Sequence, residues 1–231
     1  MRILLLQNHE LCDADLMGTA LRRRGVPCTV AAAFQTERLP DVADFDALLV
    51  LGSPASCRDI DQDPGLMNAR GLVARAVALE KPTLGICFGG QILAQVLGAQ
   101  VRQSDTGEFG TCEIHLTDEG VRSPLFVGFP ATLPTAQFHS DTFELPPGAT
   151  LLASSATCRN QAFVLGRSVG MQFHPEASAT RVAEWARMFP DGPASLGKSV
   201  DDVAAECRAT EVDRVELCDL LTENFLKFAR G

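Results

Sequence analysis

The sequence predicts an α/β fold: a mostly parallel central sheet with helices on both faces, an antiparallel portion, and a C-terminal helical extension. Three observations carry that expectation. The first hundred of the 231 residues alternate short, continuously apolar runs with amphipathic stretches, as parallel strands buried on both faces and their crossover helices do. From Gly98 to about Phe173 the runs become shorter and are separated by Pro and Gly turns, which reads as antiparallel strands added at the sheet edge or folded over it. From Ser199 onward the apolar spacing returns to the helical period. An α/β chain of this length can form one large core, so residues 1–190 are expected to be one domain and 191–231 an extension packed on it.

Taken in order, "RILLLQN" is the first strand, and Asp13 to Arg24 is an amphipathic helix closed by Gly25. "CTVAAAF" and "DALLVLG" are the second and third strands, Pro64 to Leu79 is helical, and "PTLGIC" is a fourth strand feeding the helix "GQILAQVLG". The antiparallel candidates are "TCEIHLT", "TAQFHSD", "TLLASS" and "QAFVLG". "SVGMQFHPE" then reads as a strand ending at His174-Pro175-Glu176, followed by a helix from Ala179 to Met188. Two helices fill Ser199 to Arg230. Ser199 with Asp202, and Thr210 with Asp213, place a capping hydroxyl three residues before a carboxylate, and Val212, Val215, Leu221, Phe225 and Phe228 form an apolar stripe on the last helix. That stripe suits packing on the domain or docking of a partner.

A formal net charge of −9 disfavours a nucleic-acid groove or an anionic membrane surface, both of which need clustered Lys and Arg. The one basic run, Arg22-Arg23-Arg24, reads as a solvated helix end where cations suit the macrodipole. No segment has the length of a bilayer span, and the apolar run of "MRILLLQNHE" is too short for a secretory signal, so the eight cysteines are expected to be reduced thiols of a cytoplasmic protein. With no C-x-x-C and four scattered histidines, no metal site is expected.

Strand, Gly-flanked turn and helix around Cys87 in "TLGICFGGQILAQVLGA" resemble a nucleophile elbow with Cys in place of Ser. Gly85, Gly89 and Gly90 would permit the tight turn, and the positive end of the following helix would favour a thiolate. A packed core cysteine among glycines explains the same stretch equally well. A thiol nucleophile needs a base, and the base an orienting group. "QFHPE" offers His174 and Glu176 two residues apart, a spacing that puts both on one face of an extended chain. "GPASLGKS", Gly192 to Ser199, meets the phosphate-loop spacing, but it follows a helical stretch rather than a buried strand and reads as a linker with a cap at Ser199.

"GICFGGQ", "QFHPE" and "LGSP" together resemble the class I glutamine amidotransferases, whose pattern is G-x-C-x-G-x-Q with H-x-E. "FHSDTFELPPGATLLASS" and "QAFVLG" are similar in style to the glutaminase portion of GMP synthetase and to free-standing γ-glutamyl peptidases, and the resemblance covers about residues 1 to 180. It implies a flavodoxin-like fold, with Cys87 as nucleophile, His174 as general base and then acid, and Glu176 orienting His174. Phe88 N–H would be one oxyanion donor, with the other from Gly52-Ser53-Pro54, where Ser53 stands in place of the family's second Gly. Gln91 would contact the glutamyl group and Glu108 would face its α-amine. His139 and Asp141, also two apart, would line the pocket, with Asp141 pairing with the substrate ammonium, or would belong to a self-satisfied turn.

The implied chemistry is attack of a thiolate on a γ-glutamyl amide, a thioester intermediate and hydrolysis, with no metal or organic cofactor. Three functions stay open on this sequence. The chain could be a glutaminase supplying ammonia to a separate synthetase, a stand-alone γ-glutamyl peptidase or hydrolase, or a non-catalytic binding or redox-sensing relative.

Overall fold

The first half of the chain runs β1 (Ile3–Gln7), α1 (Asp15–Arg23), β2 (Cys28–Ala32), β3 (Ala47–Val50), α2 (Pro64–Ala78), β4 (Thr83–Ile86) and α3 (Phe88–Val96). The middle holds β5 (Val101–Leu116), α4 (Asp118–Arg122), β6 (Thr132–Phe143), β7 (Thr150–Ser155) and β8 (Ala162–Leu165). After them come β9 (Ser168–Met171), α5 (Ala179–Met188), α6 (Asp191–Ser195), α7 (Val200–Ala209) and α8 (Glu211–Arg230). The computed structural model describes residues 1–35 and 38–231. Its strands form one sheet of order β2-β1-β3-β4-β9-β8-β7-β5-β6, parallel from β2 to β9 and antiparallel from β9 to β6.

The strand period of two sorts the core into two faces. Ile3, Leu5, Leu49 and Leu84 point to the side covered by α1 and α8, where they meet Met17, Leu21, Leu221 and Phe225. Leu4, Leu6, Leu48 and Val50 point to the other side, against Leu66, Leu72 and Val73 of α2 and Ile92 and Leu93 of α3. Because both faces are covered, the parallel strands are apolar at nearly every position, which is why they read as continuous runs.

Several expectations need correction. β5 is 16 residues long rather than the short "TCEIHLT" run, because β6 supplies a long antiparallel partner; its polar stretch between Gln103 and Glu108 is an irregularity in the pairing. β9 ends at Met171, and His174 lies beyond it, held by an isolated bridge to Ala136. Arg24 is no solvated helix end: it donates to both Asp219 oxygens at 2.7 Å and ties α1 to α8. Ser199 makes the expected capping box with Asp202, but the Thr210 side chain makes no cap hydrogen bond to α8 and instead meets Thr111 across the interface with β5. Val212 is exposed, because α8 turns Arg214, Cys218, Leu221 and Phe225 inward. The short α4 and α6 lie in stretches that read as turns and linker.

Among the described residues no helix is long and apolar enough to cross a membrane.

Candidate active site

Cys87 occupies the turn between β4 and α3 at φ 50° and ψ −112°, a conformation that L-residues rarely adopt and that costs on the order of 1–3 kcal/mol. Cys87 N–H donates to Met171 O at 2.8 Å, so β9 braces the strained residue from the side. The surrounding glycines are there for contact between backbones. A Cβ on Gly85 would lie 2.4 Å from Gly89 O, one on Gly89 2.1 Å from Val50 O, and one on Gly90 2.5 Å from Met171 O. The first turn of α3 is thereby pressed against β3, β4 and β9, and the thiol is lifted at the carboxyl ends of the parallel strands, where sheets of this type place their ligands.

His174 and Glu176 come together as their spacing suggested, although not on a strand. Imidazole Nδ1 lies 2.8 Å from Glu176 Oε1, which leaves Nε2 for Cys87, the neighbour whose charge acts most strongly to hold a proton on the ring. Both side chains are buried. Burial alone would lower the His174 pKa, but the facing Cys87 and Glu176 outweigh it and push the group up to about 10. Trp185 packs on the same ring with centroids 4.6 Å apart.

The loop after β3 crosses close to this pair. A Cβ on Gly52 would meet His174 Cε1 at 3.3 Å, so glycine lets the loop approach the imidazole. Ser53 is not among the residues with positive φ, so serine in place of the second glycine imposes no left-handed backbone there. Phe88, the first residue of α3, carries one of the amide groups that a helix leaves without an internal acceptor. Gln91 is buried and donates to Asp141 O at 3.1 Å and to Gln172 Oε1 at 3.2 Å; Gln172 Nε2 in turn lies 3.7 Å from Cys87 Sγ. Gln172 escaped the sequence reading, although it alternates with His174 and Glu176 in "QFHPE".

Glu108, expected to face the substrate amine, instead lies buried behind His139. Its Oε2 lies 2.9 Å from His139 Nε2 and accepts from Gln161 at 2.6 Å, while Oε1 accepts from the Ser155 and Thr157 hydroxyls. Burial works to raise its pKa, but these partners prevail and hold it below the usual value. Glu108, His139 and Cys158 offer ligand atoms within 4.8 Å of one another, close enough for a metal ion. The four donors already directed at the carboxylate match its full acceptor capacity, so the cluster is built as a hydrogen-bonded support for His139. Asp141 lines a cleft with His139 rather than closing a self-satisfied turn, and it pairs there with the Arg58 guanidinium at 3.3 Å and accepts from the Ser56 hydroxyl.

Cys87, His174, Gln91, His139, Asp141 and Ser53 all line one cleft of about 290 Å³. Arg58, Cys12, Phe138, Trp185 and Phe189 also line it and were not singled out from sequence. Arg58 lies five residues after Ser53 on the same excursion from β3, while the aromatic residues look like ordinary core positions until the fold gathers them. The phosphate-loop spacing has a structural explanation. Gly192 makes room for the Phe109 ring, and the Lys198 ammonium is engaged by Glu206 at 2.8 Å and Phe109 O at 3.0 Å. Burial pushes the Cys12, Cys57, Cys112, Cys158, Cys207 and Cys218 thiols up, which keeps them protonated.

Residues 15–189 match the family model of the class I glutamine amidotransferases. The chain is 35% identical over 164 residues to the glutamine amidotransferase-like protein YfeJ of Salmonella typhimurium, covering 69% of each. It is 34% identical over 171 residues to the glutamine-hydrolyzing GMP synthase of Aeropyrum pernix, a match that takes in 73% of this chain and 31% of that relative. A crystal structure of a glutamine amidotransferase from Thermotoga maritima superposes with a TM-score of 0.88 at 27% identity, over 100% of this chain and 99% of that one.

Proposed function

The chain belongs to the class I glutamine amidotransferases, and from that premise we propose that it hydrolyses a γ-glutamyl amide through Cys87, His174 and Glu176. The observation that carries this is a strained elbow thiol sharing one cleft with a buried imidazole whose Nδ1 is held by a carboxylate. In the proposed reaction the Cys87 thiolate attacks the γ-carbonyl carbon, forming a C–S bond and moving the carbonyl electrons onto oxygen. Phe88 N–H and the Gly52-Ser53 loop would stabilise that oxyanion, each donor contributing about 3 kcal/mol. Collapse breaks the C–N bond as His174 gives its Nε2 proton to the departing amine, leaving a γ-glutamyl thioester. Water then attacks the thioester, His174 takes its proton, and glutamate leaves with the thiolate restored.

Gln91, through Gln172, positions the thiol, and Arg58 with Asp141 supplies opposite charges for the substrate's α-carboxylate and α-ammonium. In this proposal Glu108 acts indirectly, by fixing His139 at the cleft wall.

Ammonia supply to a synthetase is the reading that the glutamine-hydrolyzing GMP synthase of Aeropyrum pernix suggests, a relative of which the match takes in 31%. The cleft continues past the thiol along aromatic side chains, and this favours a stand-alone hydrolase that accepts γ-glutamyl amides larger than glutamine.

Cys87→Ala is expected to lower glutamate release from glutamine or γ-glutamyl amides by about 10³-fold or more, with the circular dichroism spectrum unchanged. Undiminished turnover would remove Cys87 from the mechanism.

A further inference from the structure

We propose that the cleft selects γ-glutamyl amides whose departing amine carries an apolar, aromatic-sized substituent, in preference to glutamine; this rests on the hydrolase reading of Cys87 and His174. The nitrogen that leaves must receive its proton from His174, so any substituent on it starts within hydrogen-bonding distance of that imidazole. The surface beside His174 is aromatic. Trp185 lies against the ring at 4.6 Å between centroids, Phe138 is 5.8 Å from Trp185, and Phe109 is 5.1 Å from Phe138. Phe189, just past the end of α5, completes the wall, and all four side chains line the cleft.

The charged groups that suit the glutamyl half lie elsewhere. Asp141, Arg58 and Ser56 are bonded to one another, and Gln91 reaches the Asp141 carbonyl. Along β6, Phe138 and Asp141 are three residues apart, about 10 Å of extended chain. A substrate anchored by its α-charges near Asp141, with its γ-carbonyl at Cys87, therefore directs the amine toward Phe138 and Trp185.

The wall is built to stay apolar. Trp185 Nε1 donates to Leu11 O at 2.8 Å, so its polar edge is occupied away from the cleft. Phe109 is clasped between two glycines: a Cβ on Gly192 would lie 2.4 Å from one ring edge and a Cβ on Gly107 2.5 Å from the other. Trp185 and Phe109 are buried as backing, while Phe138 and Phe189 are only half-buried; release of ammonia alone would leave those two rings facing water, whereas an aromatic amine would cover them.

Three substrates with leaving amines of closely similar basicity test this: glutamine, γ-glutamyl benzylamide and γ-glutamyl 2-hydroxyethylamide. The wild-type enzyme is expected to show kcat/KM for the benzylamide at least tenfold above the hydroxyethylamide, a difference of about 1.4 kcal/mol. Phe189→Ala and Trp185→Leu should each reduce that ratio by threefold or more. Equal efficiencies, a preference for the hydroxyethylamide, or a preference that neither variant reduces would overturn the proposal; the hydrolase reading stands in those cases provided that Cys87→Ala abolishes turnover. If none of the three is hydrolysed, the hydrolase reading fails and this inference fails with it.

Discussion

At the scale of single residues, the site depends on a charge pair held in a buried place. His174 would be neutral if burial alone governed it, yet it is pushed up to about 10 by the facing Cys87 and Glu176. Since this folded-state value lies above the ordinary 6.5, the imidazolium contributes its full stabilisation below about pH 6.5 and loses it as the pH rises through about 10. Cys87→Ala removes the first of the two raising influences, so the His174 pKa in that variant is expected to fall. NMR titration of the imidazole reads this directly, and the loss of thermal stability between pH 7 and 10 should be shallower in Cys87→Ala than in the wild type. Identical titrations in the two proteins would show that the thiol does not hold the proton on His174. The pairing of His174 with Glu176 was legible in "QFHPE", because a two-residue spacing survives whether or not the segment belongs to a strand. The burial of Glu108 was not legible because its four partners come from β6, the end of β7 and the β7–β8 turn, distant in sequence.

At the scale of elements, the turn from β4 into α3 shows how three glycines hold one strained cysteine. Their presence was legible in "GICFGGQ", but their reason was not: they lie where a Cβ would strike the backbone of β3, β9 or the helix itself. Gly89→Ala places a methyl group 2.1 Å from Val50 O. The first turn of α3 must move to accommodate it, at an expected cost of about 1–3 kcal/mol, and the thiol moves with it. Urea unfolding should show that loss, and glutamate release should fall by at least about 10²-fold, since a displacement near 1 Å is enough for that. The end of α2 offers the opposite change. Glu80 is exposed at φ 52° just past the helix and donates to Val77 O, a position that favours glycine. Glu80→Gly is expected to stabilise the protein by about 0.5–1 kcal/mol in the same measurement, with activity retained. The inner parallel strands β1, β3, β4 and β9 were legible as apolar runs because each is buried on both faces, whereas β2 at the sheet edge is largely exposed. β5 was not legible in full, since Gln103 to Gly107 is a polar stretch that interrupts its pairing with β6.

At the scale of the whole molecule, the C-terminal helices reach the site from behind. The last helix shares a core with the sheet through Cys218, Leu221 and Phe225, and Arg24 fastens it to α1 through Asp219. Its first turns also hold the chain that follows Glu176. Buried Arg214 donates to Ala177 O at 2.7 Å and to Cys207 O at 2.9 Å, and Glu211 accepts from Ala179 N at 2.9 Å. From α1, Leu16 N donates to Glu176 O and Asp15 accepts from Ser178 N. The segment carrying His174 and Glu176 is thus clamped between the helices at the two ends of the sequence, a link invisible in the apolar stripe read from the tail. Burial lowers the Arg214 pKa, so keeping its charge there carries a cost that partly offsets its hydrogen bonds. Arg214→Met should therefore cost no more than about 2 kcal/mol of stability, even though two carbonyls lose their donors. Its larger effect is expected in catalysis, because Ala177, the residue that follows Glu176, loses the donor that fixes its carbonyl. We expect kcat to fall about tenfold or more with KM changed less than twofold, and Arg214→Lys, which can reach one of the two carbonyls, to recover part of that loss. A purely structural arginine would lower stability and the amount of folded enzyme while leaving kcat per folded molecule unchanged, and active-site titration of Cys87 separates the two outcomes.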